Sequence, residues 1–264
     1  MTRSGLRRLA SVAAGPLVLF GCATQTVEFP PQTPRGHIAA RPGRPGLVVA
    51  APHGSSDAQT GEIAAGVARR TGFGLVVATG FNLEADTRER PGRRYQVNRP
   101  FEGTPSRSPA EETASEGARL VYESYARRVR EIAQGPLRFY AEIHGNNRRE
   151  SVNRIEIATV GVDTEYAQRL RALCEMIRDA HLRGHAGAPR LEVLVEPADP
   201  IFYAASGAKR DGILRLPERA LHIELPKTAR ASTPRISSAV STGRTQRPRG
   251  SVTACATKSA RMAV

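Results

Sequence analysis

The chain has 264 residues, of which 40% are hydrophobic and 24% charged, enough apolar material for one sizeable core in one main domain. It has no Trp and only 5% aromatic residues, so stacking platforms for nucleic acid are not expected. The formal net charge of +14 resides mostly at the ends: Arg3, Arg7 and Arg8, with seven basic residues from Arg230 to Arg261, lie in acid-free stretches and leave the middle near +4.

The N-terminal stretch "MTRSGLRRLASVAAGPLVLFGCA" has a basic start, an apolar run from Leu9 to Phe20 and small residues before Cys22. That run is too short to span a bilayer comfortably and reads as a secretion signal over residues 1–21. "LFGC" resembles the bacterial lipoprotein signal, which implies diacylation of Cys22, export, and anchoring to the periplasmic side of a bacterial membrane in the cell envelope. Residues 22–46 are rich in Pro and Gly and read as a tether, with His37 in solvent.

Strand and helix patterns then alternate. "GLVVAAP" and "GLVVAT" are strand-like, and between them Ile63, Ala64 and Val67 share one helical face. A long polar loop, roughly Asn82 to Pro109, precedes a helix in "EETASEGARLVYESYARRVREIAQG". The strands "LRFYAEI" and "RIEIATV" follow. The next helix, "TEYAQRLRALCEMIRDAHL", aligns Tyr166, Leu170, Leu173 and Ile177, and the strands "LEVLVEP" and "ALHIELP" close the pattern. Such alternation predicts an α/β fold, a mainly parallel or mixed sheet covered by helices on both faces in a single domain over residues 47–230. The remainder, 231–264, lacks acids and large apolar residues and reads as a basic disordered tail. Cys174, in a helix, and Cys255, in this tail, have no metal-like spacing.

Parallel sheets place ligands at the carboxyl ends of their strands, which directs attention to three polar groups. His53 follows one apolar strand, His144 follows another, and Glu224 lies near the end of a third. Two histidines and a carboxylate are a common ligand set for catalytic zinc, and the carboxylate here is either Asp57 or Glu62. Each residue also has an ordinary explanation: a histidine hydrogen-bonded at a strand end, Asp57 as a helix N-cap, Glu224 paired with a basic residue.

Four segments, "PHGSSD", "YQVNRPFEG", "EIHGN" and "LHIELPK", resemble in order and spacing the zinc-dependent amidohydrolases of the N-formylglutamate amidohydrolase type. They are also similar to the wider zinc carboxypeptidase and aspartoacylase superfamily, and the match runs from Leu47 to Lys227. The resemblance implies one zinc ion held by His53, Asp57 and His144, with Glu62 as the alternative acid. It implies Asn98 and Arg99 as the grip on a substrate carboxylate and Glu224 as general base. The activity implied is hydrolysis of an amide bond beside a carboxylate, in a small anionic amide or peptide, with no specific nucleic-acid partner.

Two departures accompany the match. Three residues separate His53 from Asp57 where carboxypeptidases have two, and the chain leaves its last strand for the basic tail instead of a helix packed on the sheet. They motivate a second expectation, a noncatalytic envelope lipoprotein that uses the same fold to bind an anionic ligand or partner.

Overall fold

The apolar runs of the sequence form the middle of one sheet. A computed structural model of the chain describes residues 24–27, 36–84, 87, 92–104, 111–185 and 187–231; the expected signal segment, Cys22 and the tail from 232 onward lie outside the described residues. In chain order the strands and helices begin with β1 (Thr24–Val27), β2 (Gly36–Arg41), β3 (Arg44–Ala51), α1 (Thr60–Thr71) and β4 (Phe73–Thr79). A small second sheet follows, β5 (Arg94–Tyr95), β6 (Phe101–Thr104) and β7 (Glu111–Ala114). The rest is α2 (Glu116–Ala133), β8 (Phe139–Asn146), β9 (Arg154–Val160), α3 (Thr164–Leu182), β10 (Glu192–Val195), α4 (Ser206–Asp211), β11 (Arg219–Pro226) and α5 (Lys227–Ala231).

The main sheet has eight strands in the order β1-β2-β4-β3-β8-β11-β9-β10. Its centre is parallel, with β4, β3, β8 and β11 running the same way, while β2 and β9 pair antiparallel with their inner neighbours. The fold is therefore α/β with a mixed sheet. Alternate residues of β3 feed opposite faces: Leu47, Val49 and Ala51 pack with α1 and α3, whereas Val48 and Ala50 pack with α2. Each large aliphatic side chain enclosed in these layers contributes about 1.5–3 kcal/mol through burial.

Local signals set the helix ends. Ser115 caps α2 by accepting a hydrogen bond from the Ala118 amide, and Asp163 caps α3 by accepting from Tyr166. Gly72, at φ 75°, ends α1 in a left-handed conformation that suits glycine. On α3 the buried stripe is Ala167, Leu170, Cys174 and Ile177, with Tyr166 and Leu173 only half-buried, so the seam lies slightly to one side of the expected one.

Two expectations are corrected. Part of the stretch read as a tether forms β1, β2 and the start of β3. In β2 only Gly36, Ile38 and Ala40 face inward, and two of those three are too small to register as an apolar alternation. The long polar loop contains β5 and β6, and Glu111–Ala114 is the third strand of their sheet rather than the start of α2. These strands are short and polar and their side chains are largely outside the core, so their pairing leaves little trace in hydrophobic periodicity.

Candidate metal centre and active site

Because β3, β8 and β11 are adjacent and parallel, their carboxyl ends share one edge of the sheet. Register does the rest. Glu142 of β8 sits beside His222 of β11, and His144 sits beside Glu224, so two polar pairs stack on one face above Tyr140 and Ala220. His53, just past β3, completes the edge. A pocket of about 740 Å³ opens over it, reaching His53, Asp57, His144, His222 and Glu224.

His53, Asp57 and His144 bring one ligand atom each to within 4.8 Å of one another, and all three are buried. Asp57 Oδ2 lies 3.3 Å from His53 Nδ1 and 3.6 Å from His144 Nδ1. The opposite nitrogen of His53, Nε2, lies 2.9 Å from the Gln96 carbonyl oxygen. A neutral imidazole donates from one nitrogen only, so it cannot satisfy both the Gln96 carbonyl and Asp57. With Nε2–H donated to Gln96, Nδ1 presents a lone pair to a carboxylate oxygen, an acceptor facing an acceptor. Arg94 offsets part of that conflict, with Nη2 3.4 Å from His53 Nδ1 and Nη1 donating to Asp57 Oδ1; a metal cation between the two acceptors would resolve it directly, and the second partner on the outer nitrogen is the usual way a ligating histidine is oriented. Val97, next to Gln96, has φ 57°, a left-handed conformation that costs a β-branched residue about 1–3 kcal/mol.

The electrostatics are those of a charged cluster shut away from water. Burial, then the Arg94 guanidinium, push His53 down to about 4. Asp57 is held well below the usual carboxylate range: burial works against its charge, but His53, His144 and Arg94 outweigh it. Burial also opposes charge on His144, yet Glu142 and Asp57 on either side push it up to about 10. Asp57 is further fixed by Arg94 at 3.2 Å and by the Gly145 amide at 3.2 Å.

Glu142 is a hub beneath this cluster. Fully buried, it accepts hydrogen bonds from Asn98 Nδ2 at 3.2 Å and the Tyr140 hydroxyl at 3.2 Å, and pairs with His222 Nδ1 at 2.6 Å. It also lies 3.3 Å from His144 Nε2, an ion-pair contact off the hydrogen-bond line. His222 Nε2 faces Glu224 Oε1 at 3.2 Å, while Glu224 Oε2 is buried with no hydrogen-bond partner among the described residues. Asn146, also lining the pocket, has neither end of its amide paired within the described protein.

The predicted site residues fall unevenly. His53, Asp57, His144 and Glu224 meet in the pocket, whereas Glu62 is exposed on α1 and belongs to neither metal-capable cluster. Asn98 is buried against Glu142 and donates nothing to the pocket; its Oδ1 accepts from Arg99 Nη1 at 3.1 Å. Arg99 lines the pocket but already holds a carboxylate, Glu112 of β7, through two hydrogen bonds. Sequence reasoning missed Glu142 and His222. Their signal was a polar residue two positions before His144 and before Glu224, on strands otherwise apolar, which in a sheet places each pair on one face.

Arg230, counted in the sequence among the charges of the basic end, is instead 4% exposed on α5. Its guanidinium donates to the carbonyls of Leu225, Ala58 and Asn146 and to Asn147 Oδ1, tying the ends of β8 and β11 to the segment after His53. Burial lowers its pKa, with Asp57 and Glu224 opposing. Arg230→Met should lower the denaturant midpoint, since each carbonyl left buried and unpaired costs about 1–3 kcal/mol. An unchanged midpoint would show that the edge is held together by other contacts.

No family model matches the sequence, and no curated protein matches it. Among solved structures the chain is similar to a bacteriophage poly-gamma-glutamate hydrolase, at 11% identity and TM-score 0.43, over 86% of this chain and 87% of that one. It is similar to the zinc-free apo form of YndL at 15% identity and TM-score 0.43, over 86% and 88%. A gene product of Agrobacterium tumefaciens shows 16% identity and TM-score 0.39 over 74% and 85%. At these values the function must be read from the chain's own residues.

Proposed function

We propose that the chain is a zinc-dependent hydrolase that cleaves an amide bond beside a carboxylate, exported and held on a bacterial membrane through Cys22. The observation that carries this reading is one pocket onto which His53, Asp57, His144 and the unpaired oxygen of Glu224 converge. Two imidazoles and one carboxylate suit zinc, and three protein ligands is the number catalytic zinc sites take. His53, Asp57 and His144 are the residues that would hold it, with Gln96 and Glu142 behind the two imidazoles. When bound, zinc supplies Lewis acidity that polarises a carbonyl and makes water nucleophilic at neutral pH.

The chain's own groups account for the remaining steps. Glu224 Oε2 takes the proton of the attacking water and returns it to the leaving nitrogen, the work of a general base that becomes a general acid. Tyr203, whose hydroxyl is pushed up by burial and by Glu224, lines the same pocket and keeps its proton as a donor. Arg99 binds the substrate carboxylate by exchanging it for Glu112, and Asn98 steadies the guanidinium. Glu112→Gln should therefore lower KM for an anionic amide about three- to tenfold, on the order of 1 kcal/mol, with kcat unchanged. Steady-state kinetics would show it, and an unaltered KM would remove Arg99 from substrate binding.

The test of the function is turnover of a panel of N-acyl amino acids and acidic peptides by zinc-loaded and chelator-stripped protein. Zinc-dependent release of the amine supports the reading. Bound zinc with no turnover of any member would leave binding of an anionic ligand as the function.

A further inference from the structure

Resting on the hydrolase reading above, we propose that His222 is the positioning residue of the general base: anchored by Glu142, it ties one oxygen of Glu224 to the sheet and leaves only the other for chemistry. A glutamate side chain has three rotatable bonds, and a base that wanders loses the advantage of orientation. Here one nitrogen of the His222 ring meets Glu142 at 2.6 Å and the other meets Glu224 Oε1 at 3.2 Å; with a hydrogen on each ring nitrogen, as two carboxylate acceptors require, the ring is a rigid spacer between them. The spacer is itself clamped. Its face lies on His144 with ring centroids 4.2 Å apart and planes 30° from parallel. Glu142 cannot swing away, because Tyr140 and Asn98 also hydrogen-bond to it and Tyr125 lies 2.9 Å behind the Tyr140 hydroxyl.

The same three side chains, Glu142, His144 and His222, are close enough to hold a metal of their own. Both oxygens of Glu142 are already engaged by protein donors, which favours an anchor over a ligand. The result is a support that runs from the buried tyrosines through Glu142 and His222 to Glu224.

Two near-isosteric variants separate the halves of the support. His222→Gln extends a donor to where Nε2 stood and keeps the contact to Glu224; His222→Asn reaches Glu142 only. With the full chain loaded with zinc, His222→Asn should lower kcat about 10- to 100-fold at constant KM, the scale of losing a supporting residue at a metal site. His222→Gln, which keeps the Glu224 contact but gives up the Glu142 anchor, should lose less kcat than His222→Asn. Crystal structures of the three proteins should show Glu224 displaced in the Asn variant and retained in the Gln variant, and each should bind one zinc per chain. Equal kcat and an unmoved Glu224 in His222→Asn would overturn the proposal. Two zinc ions per wild-type chain, with one lost in both variants, would overturn it in favour of a second metal site. If wild type turns over no amide, the hydrolase reading fails on its own, and the position of Glu224 in the two variants still decides whether His222 holds it.

Discussion

Glu224→Gln should lower kcat by about 10²- to 10⁴-fold, the range over which a positioned general base contributes, while zinc content and KM stay as in wild type. The substitution is nearly isosteric and the site is 6% exposed, so little packing changes. Its amide can still face His222, so the side chain keeps a partner on the sheet. What is lost is a basic oxygen: Oε2 stands in the pocket without a hydrogen-bond partner among the described residues, and an amide at that position cannot take a proton from water. Steady-state rates on an amide substrate, with zinc measured on the same samples, provide the check. A kcat within about threefold of wild type would assign proton transfer to another group.

Asp57→Asn should weaken zinc binding by more than the 10- to 100-fold typical of losing a supporting residue behind a metal ligand, because here a charged ligand is itself replaced. The neutral amide keeps the shape of the carboxylate but withdraws the negative charge facing His53, His144 and Arg94. Glu62→Gln serves as the control. Glu62 is exposed on α1, so its removal should leave zinc affinity unchanged. Competition with a calibrated chelator measures both. Equal affinities for Asp57→Asn and wild type, with loss in Glu62→Gln, would reverse the choice between the two acids.

The parts of the site that were legible in the sequence are those tied to burial. β3, β8 and β11 are apolar runs, so their ends could be located, and the parallel centre of the sheet then brings His53, His144 and Glu224 to one edge. Asp57 and Glu62 could not be separated by sequence, since only the turn after β3 decides which acid points back into the pocket. Glu142 and His222 were hidden inside strings read as plain strands; their partnership depends on the register of β8 against β11, which a single chain of letters does not state. Arg99 illustrates a different limit. Its place in "NRP" was readable, but the carboxylate it holds comes from β7, a short exposed strand in a stretch that looked like loop and helix. In β2, where the inward positions are Gly36, Ile38 and Ala40, small side chains concealed a strand within Pro- and Gly-rich sequence.

Whether His53, Asp57 and His144 hold a metal is tested most directly by metal content, determined by inductively coupled plasma mass spectrometry on purified wild type beside His53→Ala and His144→Ala. About one zinc per wild-type chain is expected, with loss of it in both variants and the fold retained. A folded wild-type protein that takes up no metal after reconstitution with zinc would contradict that expectation.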